Sequence, residues 1–127
     1  MRAYFLTNMY LSSIQHGIQA AHCLQEINNK YQDPTDEHLQ LLEWATDYKT
    51  IIVLNGGTSE YMDYLLQLFN HKSNNFPWAY FNEPSIHNAL TCIGIIVPDS
   101  VYEFRRSEYG TFRHELSELL TTRHFAR

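Results

Sequence analysis

Cysteine is scarce in this chain: its 127 residues hold two, Cys23 and Cys92. Each lies in an apolar stretch and they share no C-x-x-C spacing. Two buried free thiols are therefore expected, not a disulfide or a zinc site. Long apolar runs are missing too. No stretch approaches the ~20 residues that cross a bilayer, so no membrane association is expected. Met1-Arg2-Ala3 leads straight into an apolar segment with no signal-peptide pattern, which points to a cytoplasmic location. Positive charge is in deficit, with 9 Lys and Arg against 14 Asp and Glu and a net charge of -5. Broad, non-specific nucleic-acid binding rests on phosphate neutralisation and is disfavoured. Arg105, Arg106, Arg113, Arg123 and Arg127 concentrate what positive excess there is in the last quarter of the chain. The sequence has no G-x-S-x-G elbow, no P-loop and no H-E-x-x-H. It shows no repeat, low-complexity tract or linker, and one domain over 1–127 is expected.

What is present is a β-α alternation. Tyr4-Phe5-Leu6 reads as a first strand. A helix follows over about Ser13 to Lys30, capped by Ser13, with Ile14, Ile18, Ala21, Leu24 and Ile27 along its apolar face. Asp33-Pro34 breaks it, and Thr35 caps a second helix to about Ala45. Thr50 to Leu54 is a continuous β-branched run, which suits a strand covered on both faces. Asn55-Gly56-Gly57 reads as a turn, and Thr58 or Ser59 caps a third helix through Met62, Leu65, Leu66 and Phe69. Trp78 to Phe81 and Thr91 to Val97 complete the strands. Two short C-terminal helices follow, the second with Phe112, Leu116, Leu119 and Leu120 on one face. The order β-α-α-β-α-β-β-α predicts an α/β fold of three layers, α/β/α, with a four-stranded mixed sheet. The short link before the last strand can reverse one strand.

The segment Ser12 to Cys23 carries most of the chemistry. It places Gln15, His16 and Gln19 where a first strand passes into a helix, the edge at which open α/β sheets bind ligands. The connection Glu83 to Thr91 holds Glu83, Ser85, His87, Asn88 and Thr91. If the first and last strands are neighbours, the two sets converge on one edge, and a carboxylate, an imidazole, amides and hydroxyls suffice for acid/base work on an ester. The plain alternative stands beside it. Ser13 caps a helix, Gly17 and Ala20-Ala21 let that helix lie close to the sheet, Glu83 and Asn88 bond the loop backbone, and Thr91 begins a strand. Seven histidines invite a metal. But His16 and His22 do not share a helical face, and His114 and His124 lie beside arginines as surface residues. No metal ligand set and no cofactor are expected.

Gly17-Ile18-Gln19-Ala20-Ala21-His22-Cys23-Leu24-Gln25 resembles the G-K-x-A-A-Q-x-x-H-A helix start of the type 2 peptidyl-tRNA hydrolases, which cleave the ester between a peptide and tRNA. The resemblance runs over 2–98, through Trp44, the Thr50 to Leu54 strand and the Glu83 to Pro98 unit, and leaves 99–127 as a C-terminal helical extension. Within the family it is similar to small phage and bacterial versions. It implies hydrolysis of peptidyl- or aminoacyl-tRNA in a homodimer. His16, Glu83 and Thr91 would be the catalytic residues, and Gln15, Gln19, His22, Ser85, His87 and Asn88 would contact substrate. Ile18 stands at the family lysine, His22 at its glutamine, Gln25 at its histidine and Glu83 at its aspartate. With that lysine absent, hydrolysis is expected to be slow. Any tRNA affinity is expected to rest on Arg105, Arg106 and Arg113 and to fall with salt. The contrasting expectation is a non-catalytic dimeric module of the same fold that binds a protein or small ligand.

Overall fold

Strand β1, Arg2–Asn8, decides the architecture through its alternation. In the computed structural model, which describes residues 1–103 and 111–127, Ala3 and Phe5 enter one apolar cluster and Tyr4 and Leu6 another. A strand buried on both faces calls for a helical layer on each side of the sheet. The sheet has four strands in the order β2-β1-β4-β3. Strand β2 spans Ile51–Gly57, β3 Trp78–Glu83 and β4 Ala89–Val97. β1 and β2 are parallel, while β4 runs antiparallel to both β1 and β3. The short link before β4 is what reverses it.

Helices cover both faces. Ala20, Cys23 and Ile27 of α1 (Ser13–Lys30) and Leu41 of α2 (Asp36–Glu43) pack with Phe5, Ala79 and Ile96. On the other face lie α3 (Ser59–Phe69), α4 (Asp99–Tyr102) and α5 (Thr111–Thr122). Met62, Leu65, Phe69, Leu116 and Leu120 meet Tyr4, Leu6, Ile93 and Ile95 there. The α5 face of Phe112, Leu116, Leu119 and Leu120 is buried as its spacing predicts. Thr35 and Thr58 cap their helices by accepting the His38 and Tyr61 N–H groups. Both cysteines are free and buried. Burial, with the Cys23 thiol alongside, pushes the Cys92 thiol well up and keeps it unreactive.

Several sequence expectations are overturned. The buried stripe of α1 is His16, Gln19, Ala20, Cys23 and Ile27, whereas Ile14 is 73 % exposed and Ile18 39 %. Ser12, not Ser13, is the N-cap of α1 and makes no side-chain cap bond. Gly17 faces open space and does not bring the helix closer to the sheet. Helix α2 ends at Glu43 and passes into a π-helical turn, Trp44–Tyr48, whose Trp44 indole donates to the Thr50 carbonyl at 2.9 Å. Strand β2 is covered on both faces as expected, with Ile52 and Leu54 in one cluster and Val53 against the other, but it lies at the sheet edge and its first residue, Ile51, is 52 % exposed. Asn55-Gly56-Gly57 is not a turn but the end of β2, pressed so close to β1 that a Cβ at Gly56 would sit 3.0 Å from the Thr7 carbonyl oxygen.

The segment after α5 returns to that edge. Asn55 N–H donates to the His124 carbonyl at 2.8 Å and Ala126 N–H to the Val53 carbonyl at 3.1 Å. Leu54 and Phe125 form an antiparallel bridge. The opposite edge is guarded differently. The Lys30 ammonium and the Tyr31 hydroxyl both donate to the Trp78 carbonyl, which occupies the outer side of β3 there.

Candidate functional site

All four strands deliver a polar residue to one end of the sheet. Thr7 of β1 is level with Asn55 of β2 and Cys92 of β4, and Cys92 is level with Phe81 of β3. Thr91 and Glu83 follow at that same end. The β1–α1 connection and the β3–β4 connection therefore meet at one edge, because β1 and β4 are neighbours.

Two hydrogen-bonded groups form there. In the first, Gln19 is 1 % exposed and uses its whole amide. Its Nε2 donates to Gln15 Oε1 at 3.1 Å and to Glu83 Oε1 at 3.2 Å. Its Oε1 accepts from Thr91 Oγ1 at 2.6 Å. The same hydroxyl lies 3.3 Å from the Phe81 carbonyl. Glu83 is half-buried, so one carboxylate oxygen is held and the other stays available. The Gln19 amide N–H groups are taken by Gln15 and Glu83 and the Thr91 hydroxyl hydrogen by Gln19, an arrangement that holds one Glu83 oxygen in place. With their donors engaged in this way, both residues position Glu83.

The second group centres on His16, which is 5 % exposed. Its Nδ1 lies 2.6 Å from Thr7 Oγ1, and that hydroxyl lies 3.4 Å from the Leu54 carbonyl. A threonine hydroxyl has one hydrogen. Both contacts are hydrogen bonds at once only when Nδ1–H donates to Oγ1 and Oγ1–H donates to the carbonyl. That tautomer leaves a lone pair on Nε2, which no described residue engages. The ring also lines a cavity of about 450 Å³ together with Met9, Asn55, His124, Phe125 and Arg127. The three-residue spacing on α1 puts His16 and Gln19 on one helical face, roughly 5–6 Å apart at Cβ.

The remaining candidates are less engaged. His22 is exposed and stacks on Phe81 with ring centres 4.6 Å apart, outside both groups. Ser85, His87 and Asn88 are exposed. His87 and Asn88 take left-handed φ values of 56° and 58° that turn the chain into β4. The Asn88 backbone N–H donates to the Glu83 carbonyl at 3.0 Å. Arg105 and Arg106 lie outside the described residues. No group of metal-binding side chains occurs among the described residues, and no described helix is long and apolar enough to cross a membrane.

Sequence reasoning missed Thr7, His124 and Phe125 as neighbours of the site. Thr7 sits at the end of β1 where a polar residue breaks the apolar run, and that break was the available signal. An apolar lip also went unread: Tyr10 is 74 % exposed, Met9 45 %, and Ile14 and Ile18 lie on the outer face of α1.

Thr91→Val tests the first group. It removes the donor to Gln19 Oε1 and leaves a buried acceptor unpaired, which costs about 1–3 kcal/mol. A denaturant titration should show a lower midpoint with an unchanged slope. An unchanged midpoint would mean that Gln19 does not depend on Thr91.

No protein-family model matches the sequence, and no curated protein resembles it closely enough to count as a relative.

Proposed function

We propose that this chain hydrolyses an acyl ester on tRNA, as a divergent relative of the type 2 peptidyl-tRNA hydrolases with their fold. One observation carries the reading: a buried imidazole whose Nδ1 is anchored by Thr7, whose Nε2 no described residue engages, and which lines a cavity at the polar edge of the sheet. That is the arrangement a general base needs. Nε2 takes a proton from water as the water oxygen attacks the ester carbonyl. Collapse of the tetrahedral intermediate breaks the bond to the ribose oxygen, which takes the proton back from Nε2. Glu83, held through Oε1 by Gln19, uses its other oxygen to hold an N–H of the acyl group. With no lysine at Ile18, stabilisation of the oxyanion is weak and turnover is slow.

The test is release of the acyl group from N-acetyl-aminoacyl-tRNA by purified protein. His16→Ala is expected to lower turnover by two orders of magnitude or more. Turnover equal to wild type would remove His16 from the reaction. A second reading, a homodimeric or protein-binding module without catalysis, is favoured by the exposed Met9, Tyr10, Ile14 and Ile18 beside the site. Absence of turnover together with self-association lost in Ile14→Asp would support it.

A further inference from the structure

We infer that the segment after α5 completes a nucleotide-binding subsite, in which Arg127, His124 and Asn55 take the phosphate and Phe125 stacks on the ring. The inference deepens the hydrolase reading, on which it rests only for the source of the nucleotide. Main-chain pairing with Val53 and Asn55 fixes 124–126 along β2 and carries three side chains to the wall of the His16 cavity. Asn55 Oδ1 is committed to the Gly57 N–H at 2.8 Å, so the group it has left is its Nδ2 donor. Arg127 adds a permanent cation, His124 a second ring with donor capacity, and no Asp or Glu side chain lines the cavity. A wall that offers the Arg127 guanidinium, the His124 ring and Asn55 Nδ2, with no carboxylate side chain among its lining, suits an anion, not a cation.

The rest of the lining identifies the kind of anion. Met9 and Phe125 are apolar, and Phe125 is 70 % exposed although it sits in a main-chain bridge. An exposed aromatic ring beside a phosphate-binding wall is how single-stranded nucleic acid is gripped, by stacking one base and neutralising its phosphate. At about 450 Å³ the cavity lies within the range of small-ligand sites.

The experiment is a titration of the ¹⁵N-labelled chain with 5′-AMP, adenosine and inorganic phosphate, read by NMR. 5′-AMP is expected to shift Met9, His16, Asn55 and Phe125 and to bind at least tenfold more tightly than either fragment. Arg127→Ala should weaken 5′-AMP at least tenfold. Phe125→Ala should weaken 5′-AMP but leave inorganic phosphate unchanged. Lys72→Ala, an exposed cation outside the cavity, should have no effect. Inorganic phosphate binding as tightly as 5′-AMP, shifts confined to another surface, or Arg127→Ala binding like wild type would each overturn the assignment. Binding without ester turnover would leave the subsite standing and remove the hydrolase reading. Turnover without 5′-AMP binding would do the reverse.

Discussion

Gly94→Ala and Gly17→Ala, the same chemical change, are expected to move stability in opposite directions. A Cβ at Gly94 would lie 2.7 Å from two Phe5 ring atoms and 3.0 Å from Cys23 Sγ. Gly94 is paired with Phe5 of β1 and Ala79 of β3 in the middle of the sheet, and Phe5 is 1 % exposed. The ring fills the space that a side chain at 94 would need and has nowhere to withdraw. Overpacking costs about 1–3 kcal/mol, and the upper end applies to a ring that cannot withdraw. That exceeds the ~0.5–1 kcal/mol gained by restricting the unfolded chain, and the melting temperature should fall by on the order of 10 °C. Gly17 lies inside α1 with nothing within 4 Å of its Cβ position. There the propensity gain of about 1 kcal/mol is unopposed, and the melting temperature should rise by a few degrees. Thermal unfolding followed by circular dichroism checks both. Two shifts of the same sign would mean that Phe5 does not lie over Gly94.

Glu83→Gln is expected to reduce ester turnover about 100-fold while leaving the fold intact, a loss of about 2.7 kcal/mol in transition-state stabilisation. The glutamine carbonyl still accepts from Gln19 Nε2, so the hydrogen bond that orients position 83 survives. What is lost is the charge that faces the substrate. Glu83→Ala also removes the acceptor and leaves one Gln19 N–H unpaired, so it should cost stability as well. Melting temperatures measured beside the turnover rates separate the two effects. Equal turnover in Glu83→Gln and wild type would assign Glu83 a purely structural role.

Much of this organisation follows from local pattern. The β-branched run before Leu54, the caps at Thr35 and Thr58 and the Phe112 to Leu120 spacing each depend on neighbours in sequence, and each forms as read. The convergence of the two polar segments was conditional on β1 and β4 being adjacent, and they are. The errors share one cause, which is that periodicity counts apolar residues. In α1 it selected Ile14 and Ile18, which face solvent. His16 and Gln19 are buried instead because Thr7 and Thr91 satisfy them from 9 and 72 residues away. Strand β2 is covered on both faces as its β-branched residues suggest, but its place at the edge is a property of the sheet. The pairing of 124–126 with β2 had no local signal, since three residues show no period and their partners lie some 70 positions earlier.

The reading of the polar edge as an ester-hydrolysing site is tested most directly by single-turnover hydrolysis of N-acetyl-aminoacyl-tRNA at low salt, with protein in excess. The wild type and the double variant His16→Ala/Glu83→Gln are compared with the protein-free rate. First-order loss of the ester above background in the wild type, falling to background in the double variant, is the predicted result. A wild-type rate equal to background, or a double variant as fast as wild type, would contradict it.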